Sequence, residues 1–195
     1  MTRLTVQAGL PEGASDKASS LYWEAFGGKL GLVMGPRTKG IEFIRRVIDP
    51  SHAISVTDTS GALLGVVGFK TSKGALVGGG FKDLAAVYGL FGAAWRGTLL
   101  SLLDRDTENQ RFLLDGIFVA PEARGCGIGS MLLDAIATEA RLRGYYSLRL
   151  DVINTNPRAA ALYARHGFEA IKTRKLGALR HIFRFESATT MIKTL

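Results

Sequence analysis

The sequence predicts an α/β fold in which a mixed β-sheet carries helices on both faces. Short apolar runs of strand length alternate along the chain with longer segments whose apolar residues recur at helical spacing. Two of the short runs flank the turn Thr59-Ser60-Gly61, which is a hairpin signal. A glycine-rich turn at residues 124–129 joins another short run to an amphipathic helix. This order of elements is typical of a sheet that is covered on both sides.

The N-terminal segment is predicted to form one strand and two helices. Residues 4–8 alternate apolar and polar side chains, as a half-buried strand does. Apolar residues then recur at helical spacing over residues 15–34, and Ser15 or Asp16 is the expected N-cap. A second helix follows Gly35-Pro36 and should stop at Asp49-Pro50, because the residue before a proline disfavours the helical conformation.

An additional helix is predicted after the hairpin strands at residues 52–58 and 62–70. It covers residues 81–103, carries little charge, and is expected to bend at Gly89, Gly92 or Gly97. The twenty residues from Leu84 are almost long enough to cross a bilayer, but Arg96 in their interior would cost about 2.5–3.5 kcal/mol there. We therefore expect this helix to be buried against the domain and not to span a membrane. A lid over an apolar substrate and a homodimer face are two further hypotheses for it. The residues expected on one stripe are Leu84, Val87, Phe91, Trp95, Leu99 and Leu102.

Composition indicates one compact domain over residues 1–195. The 195 residues are 47% hydrophobic and 22% charged, and neither a linker nor a repeat divides them. The first residues are too polar for a signal peptide. Cys126 is the single cysteine, which excludes an internal disulfide and a cysteine-based zinc site. We expect a cytoplasmic protein without a metal.

The glycine-rich turn has the composition of an anion-binding site. Gly125, Gly127 and Gly129 stand at alternate positions, are free to take positive φ, and can point successive N–H groups into one space. The helix that begins near Gly129 adds the positive end of its dipole, and Arg124 adds a fixed charge.

Two known phosphate-binding loops do not fit this turn well. A P-loop requires Gly-Lys-Ser/Thr at the start of the helix, whereas Ser130-Met131 follows Gly129. A dinucleotide fingerprint requires a third glycine where Ser130 stands. Asp151, at the end of the next predicted strand, keeps a Rossmann alternative open through a ribose contact.

Two ordered motifs resemble those of the GCN5-related N-acetyltransferases (GNAT). The sequence Arg124-x-x-Gly127-x-Gly129 resembles the family's acetyl-coenzyme A (acetyl-CoA) signature. Downstream, a predicted strand is followed by Asn-x-x-Ala at Asn156 and Ala159, and then by Leu-Tyr-x-x-x-Gly-Phe at residues 162–168, which resembles the closing motif. The resemblance implies a twisted, mostly antiparallel sheet of about seven strands, the last four at residues 115–119, 145–151, 168–173 and 187–193. It also implies transfer of an acetyl group from acetyl-CoA to a primary amine, by direct attack in a ternary complex.

The resemblance further implies which residues hold the coenzyme. Backbone N–H groups of Arg124, Gly125, Cys126, Gly127, Ile128 and Gly129, with Ser130 nearby, would bind the pyrophosphate. Phe118 and Val119 would flank the pantetheine arm along the fourth strand, and Asn156, Ala159 and Tyr163 would contact it from the other side. Each residue has a structural alternative: a tight turn, a core side chain, or for Asn156 a helix cap.

Tyr163 and Asp115 are the candidate catalytic residues. Tyr163 matches the family tyrosine that protonates the departing thiolate, although a core tyrosine would fit the helix equally well. Asp115 is the candidate base, on the expectation that burial raises its pKa. Glu108, Glu122, His166 and a water chain are alternatives for the base. We do not expect Cys126 to be a nucleophile, because it lies in the pyrophosphate turn, far from the thioester.

The charge distribution leaves two further hypotheses open. The net charge is +8, and basic residues dominate the C-terminal third of the sequence. Such a surface attracts polyanions, and coenzyme A is one. Nucleic acid is another, but no RNA- or DNA-reading motif supports it. A coenzyme A-binding sensor without turnover is the alternative to an enzyme, and the acceptor amine stays unidentified.

Overall fold

The computed structural model describes residues 3–102 and 110–195, and its centre is an eight-stranded sheet. The strand order is β1-β2-β3-β5-β6-β8-β7, with β4 paired to β3. Among the described residues β5 and β6 form the only parallel pair, so the expected mixed, mostly antiparallel sheet is confirmed. The strands are β1 (Thr5–Ala8), β2 (Ala53–Thr57), β3 (Leu63–Thr71), β4 (Gly74–Ala75), β5 (Phe112–Val119), β6 (Ser147–Ile153), β7 (Glu169–Lys175) and β8 (Ser187–Thr194).

The Rossmann alternative is wrong, because that fold requires a mostly parallel sheet. The carboxylate of Asp151 instead lies within the sheet, where it accepts a hydrogen bond from the Thr190 hydroxyl on the neighbouring antiparallel strand.

Six helices cover the two faces of the sheet in the described part of the chain. They are α1 (Ser15–Met34), α2 (Arg37–Val47), α3 (Phe81–Ser101), α4 (Ile128–Leu142), α5 (Pro157–Arg165) and α6 (Arg180–Phe183). The expected cap of α1 is wrong. Ala14 is the N-cap, so no side chain caps the helix, and Ser15 already belongs to the helix. The end of α2 before Asp49-Pro50 is confirmed.

Glycines allow close approach of one helix to each face of the sheet. On one face a Cβ at Gly65 would lie 2.8 Å from Ile128 and 3.2 Å from Leu132 of α4. On the opposite face a Cβ at Gly116 would lie 2.6 Å from the Phe26 ring of α1. A larger residue at either position would push the helix away, so these glycines set the spacing of the two layers.

The described core has two parts. The larger part lies between the sheet, α1 and α4. The smaller part joins α1, α2, α3 and α6 through buried residues that include Val33, Phe43, Leu84 and Phe183. The short elements β4 and α6 were not anticipated, since two and four residues are too few to establish a periodic pattern.

Helix α3 bends at Gly89, one of the three glycines named for this role. Gly89 has φ 71° and ψ 169°, which interrupts the helix. The continuous stripe expected across the bend is therefore wrong. Leu84 and Val87 are buried, but Phe91 is 94% exposed, because the second half of the helix turns a different face inward. No helix in the described ranges is both long and apolar enough to cross a membrane.

Candidate active site

The glycine-rich turn begins after β5 and ends in the first turn of α4. Residues Pro121–Ala123 form a single 3₁₀ turn, and Gly125 and Gly127 follow with φ 82° and 81°. Gly127 is the N-cap of α4, so no side chain occupies the space in front of the helix. Two positive-φ residues followed by uncapped first-turn N–H groups form a concave set of donors that suits an anion.

Gly129 differs from the other two glycines of the turn. It lies inside α4 with helical geometry, so Gly125 and Gly127 are the two that use their freedom to take positive φ. Its small size serves packing instead, because a Cβ there would lie 3.0 Å from Leu162 of α5. The turn and the helix of the second motif are therefore in direct contact.

Polar side chains add a second connection between these two elements. The Ser130 hydroxyl lies 2.9 Å from His166 Nε2, and His166 Nδ1 lies 3.6 Å from Asp134. His166 caps the C-terminus of α5, in agreement with a structural role at a helix end. It has partners on α4 and does not line the large cavity described below.

Arg124 and Cys126 lie at the exposed edge of the turn. Arg124 Nε donates a 3.2 Å hydrogen bond to the carbonyl of Val119, the last residue of β5. Cys126 is exposed, with Sγ 3.9 Å from the Arg124 carbonyl. In the described part of the chain no group of three His, Cys, Asp or Glu side chains is arranged to hold a metal.

Helix α5 begins with the expected cap and carries Tyr163 in a buried position. Asn156 Oδ1 accepts a 3.1 Å hydrogen bond from the Ala159 N–H, which confirms the capping alternative. Tyr163 is 8% exposed, its ring packs against Phe168, and its hydroxyl has no hydrogen-bond partner among the described residues. Burial raises the pKa of Tyr163 to about 12, so the phenol keeps its proton at neutral pH.

Strands β5 and β6 diverge next to the turn. Their parallel ladder contains two pairs in the described residues, Phe112 with Leu148 and Leu113 with Arg149. The rest of β5 continues in register with β3 on its other side, up to Val119 opposite Gly65. The backbone of β5 thus leaves its neighbour β6 over the last residues before the turn. The side chain of Phe118 is buried against Tyr22 and Phe26, so only its backbone can face the opening.

Asp115 occupies a β-bulge in β5. Leu114 pairs with Phe69 and Gly116 pairs with Gly68, so the register shifts there and Asp115 is the inserted residue of the bulge. Its side chain is exposed, so the expected burial of this carboxylate is wrong. Asp115 lines a cavity together with Tyr22, and burial and then the nearby Asp115 charge raise the pKa of Tyr22.

The cavity has a volume of about 800 Å³ and lies between α1, α2, α3, the end of β3 with the segment that follows it, and the middle of β5. One part of its wall is apolar, and another carries charged and hydroxyl groups. The apolar residues include Trp23, Leu30, Met34, Phe43, Leu84 and Leu100, and the polar ones include Lys29, Lys70, Thr71 and Asp115. The cavity can therefore take a molecule that has both an apolar portion and a polar end.

A hydrogen-bonded chain that we did not anticipate from the sequence supports the polar wall. His52 is 7% exposed, its Nδ1 lies 2.8 Å from Asp49 Oδ2, and its Nε2 lies 3.0 Å from Thr71 Oγ1. Thr71 in turn accepts a hydrogen bond from the Lys73 N–H at 3.1 Å. Asp49 precedes β2 and Thr71 is the last residue of β3, so the two are far apart in the sequence. No local sequence pattern therefore indicated these hydrogen bonds.

The other candidate bases are placed differently. Glu122 is exposed in the 3₁₀ turn and pairs with Lys17 at 3.7 Å. Glu108 lies outside the described residues. Asp115 is thus the candidate base that lines the cavity. Asp115 lies on β5, whereas Tyr163 lies on α5, the helix that follows β6. The two catalytic candidates therefore come from one of the two diverging strands and from the helix that follows the other.

Comparison with known proteins agrees with this geometry. The sequence matches the acetyltransferase (GNAT) family over residues 16–168. The chain belongs to the GNAT family of acetyltransferases. This membership supports N-acetyltransferase activity, while no curated protein matches the sequence at a significant level.

Solved structures share the GNAT fold over almost the whole chain. An N-acetyltransferase from Staphylococcus aureus Mu50 has a TM-score of 0.69 and 16% identity, and the match covers 96% of this chain and 99% of that one. A GCN5-related N-acetyltransferase from Kribbella flavida has a TM-score of 0.62 and 17% identity over 98% of both chains. An acetyltransferase with 20% identity and a TM-score of 0.63 covers 97% of this chain and 98% of its own. At identities this low, the structural matches establish the common fold alone.

Proposed function

We propose that this GNAT protein transfers the acetyl group of acetyl-CoA to a primary amine of a small molecule or peptide. The observation that carries the proposal is the divergence of β5 and β6 beside a turn with two positive-φ glycines. An opening between strands can receive an extended arm through backbone hydrogen bonds, and the adjoining turn can receive its phosphates.

The coenzyme would extend from the turn into the opening. The N–H groups of residues 124–129 would donate to the pyrophosphate, and the Arg124 guanidinium would add a cation at its edge. The pantetheine arm would run along the backbone of Phe118 and Val119, with Asn156 and Ala159 on the far side. The net charge of +8 would favour the approach of this polyanion.

The chemical step is a direct transfer that needs one acid and one proton acceptor. The neutral amine nitrogen attacks the thioester carbonyl carbon, the C–N bond forms, and the C–S bond breaks. Tyr163 would give its phenolic proton to the departing thiolate, since a pKa of about 12 keeps that proton in place at neutral pH. The nitrogen becomes positively charged as the C–N bond forms, and its proton would pass to Asp115 or to water in the cavity. A proton from water would restore the Tyr163 phenol, so that the proton lost by nitrogen balances the one gained by sulfur.

The acceptor would occupy the cavity next to β5. Asp115 at the bulge would attract the ammonium form of the amine and accept its hydrogen bonds. The apolar wall formed by residues such as Trp23, Phe43 and Leu100 would take an apolar portion of the acceptor. We therefore propose an acceptor that joins a primary amine to an apolar body.

Two measurements on one preparation test this proposal. Calorimetric titration with acetyl-CoA measures binding, and a free-thiol assay measures turnover over a panel of amines with and without aryl or alkyl groups. Binding together with thiol release for apolar amines is the expected result. Binding of acetyl-CoA without thiol release for any amine would favour a coenzyme A sensor over an enzyme. Failure to bind acetyl-CoA would overturn the proposal.

A further inference from the structure

The outward side of the second half of α3 is an uncharged apolar surface. Beyond the bend at Gly89, Leu90 is 71% exposed, Phe91 94%, Trp95 44% and Leu102 45%. We call this side the α3 outer face. It consists of the exposed residues Leu90, Phe91, Ala94, Trp95, Thr98, Ser101 and Leu102. At 100° per residue these positions share one side of the helix, and no charged residue is among them.

The single cation in this stretch is not exposed on the face. Arg96 is half-buried, and its guanidinium stacks over the Tyr88 ring at 4.1 Å and over the Trp95 ring at 4.2 Å. It also donates to the Gly35 carbonyl at 3.5 Å. Ala93 on the inner side is fully buried. The helix is therefore fixed to the domain by one side and leaves the other side apolar and uncovered.

The area of the α3 outer face is enough for a small specific interface. Side chains of this size expose on the order of 150–250 Å² each when free, so the four fractions above leave roughly 500 Å² of apolar surface uncovered. Two such faces together would bury about 1,000 Å², which is the lower limit for a specific protein–protein interface.

We propose that the α3 outer face pairs with the same face of a second copy of this chain. The two helices would run antiparallel about a two-fold axis at the level of residue 96. In that register Leu90 lies opposite Leu102 of the second copy, and Ala94 lies opposite Thr98. Phe91 lies opposite Ser101, so a large side chain meets a small one. A face that alternates large and small residues in this way is complementary to itself under two-fold symmetry.

Charge favours a second copy over the other occupants of such a face. A helix that binds an anionic membrane presents exposed Lys or Arg beside its apolar residues, and the α3 outer face presents none. The exposed edge strand β7 is a poorer dimer contact, because Lys172, Arg174 and Lys175 would approach their own copies there.

The pairing would also reach the acceptor cavity. Ser101 lines that cavity, as do Gly97 and Leu100 on the inner side of the same helix. Phe91 of the second copy would therefore lie at the rim of the cavity, where it limits the size of the acceptor.

The oligomeric state in solution provides the test. Sedimentation velocity of the full chain should show a concentration-dependent dimer, and Phe91→Glu should weaken its dimerisation at least 30-fold. Leu142→Glu is the matched control, because Leu142 is 79% exposed on α4 and lies outside the α3 outer face. Phe91 is almost fully exposed, so the variant should fold, and an unchanged urea midpoint at a protein concentration where the wild type is monomeric checks this. A monomeric wild type, or a dimer unaffected by Phe91→Glu, would overturn the proposal.

Cross-linking tests the register, and vesicles test the other occupant. In a Cys126→Ser background, Thr98→Cys should be joined into a covalent dimer by a short bismaleimide, whereas Thr138→Cys on α4 should not. Equal cross-linking of both variants would refute the pairing. If a monomeric wild type sediments with vesicles containing phosphatidylglycerol and Phe91→Glu does not, the face binds membrane and the proposal is wrong.

Discussion

Replacement of Gly127 by valine separates the anion-binding role of the turn from its folding role. Gly127 has φ +81° and nothing within 4 Å of an added Cβ, so the substitution creates strain without a steric clash. A left-handed conformation costs a side-chain-bearing residue about 1–2 kcal/mol, and a β-branched residue is at the upper end. The protein should therefore fold with its stability reduced by roughly that amount.

Gly144 provides a matched control at the other end of the same helix. It too has φ +81° and nothing within 4 Å of an added Cβ, and it follows the C-cap of α4. Gly144→Val should thus lower the free energy of unfolding by a similar amount, about 1–2 kcal/mol. It lies away from the turn and should leave acetyl-CoA binding unchanged.

The two variants should differ in coenzyme affinity. A valine at residue 127 puts its methyl groups in front of the first turn of α4 and moves the neighbouring N–H groups out of line. A hydrogen bond to a charged group contributes about 1.5–3 kcal/mol, so the loss of two weakens acetyl-CoA binding by more than about 100-fold. Calorimetric titration and urea unfolding of both variants measure the two effects. Equal acetyl-CoA affinity of Gly127→Val and Gly144→Val would refute the assignment of the turn to the pyrophosphate.

Three further predictions, one of them with a matched control variant, concern other parts of the molecule. Tyr163→Phe should lower kcat by about 10²–10⁴-fold and leave acetyl-CoA affinity unchanged, as steady-state thiol release and calorimetry would show; equal rates would remove the phenol from the mechanism. Gly116→Ala should cost about 1–3 kcal/mol in urea unfolding, because its Cβ would meet Phe26 at 2.6 Å. Gly28→Ala, in helix α1 with open space around it, should instead stabilise by about 0.5–1 kcal/mol. Asp49→Asn should destabilise the protein at neutral pH, because the hydrogen bond from the Ser51 hydroxyl, ahead of other contacts, holds the pKa of Asp49 below 3.8. The resulting stabilisation is complete above pH 3.8 and disappears as the pH falls through the lower pKa of the folded state. The urea midpoints of the wild type and the variant should therefore converge in acid.

Local motifs were the part of the molecule that the sequence predicted best. The bounds of α1, the end of α2 and the Asn156 cap depend on residues within a few positions of one another, and the structure agrees with them. The seven strands of the original expectation are all present. The bend at Gly89 was one of three expected positions, since only tertiary contacts determine which glycine yields.

Features that depend on distant contacts could not be predicted. The prediction of one continuous apolar stripe along α3 was wrong, because a helical pattern continues across a bend only if the bend does not rotate the helix. The chain from Asp49 through His52 to Thr71 joins residues from separate elements, which no spacing in the sequence reveals. Similarly, the small size of residue 129 serves packing against Leu162, which lies on another helix.

The bulge at Asp115 explains why the acceptor side of the site is the least predictable part of it. Strict alternation along β5 would put Asp115 on the same face as Ile117 and Val119, towards α4. The extra residue shifts the alternation by one position, so that Asp115 and Gly116 lie on the α1 side of the sheet, where Asp115 lines the cavity and Gly116 lies against Phe26. The same irregularity bends the strand near the point where β5 leaves β6. One inserted position therefore brings the carboxylate to the acceptor cavity and accompanies the opening for the coenzyme. Removal of the bulge, by deletion of a single residue at 115–116, should on this argument abolish both coenzyme and acceptor binding, whereas Asp115→Asn should impair turnover and leave the affinity for acetyl-CoA intact.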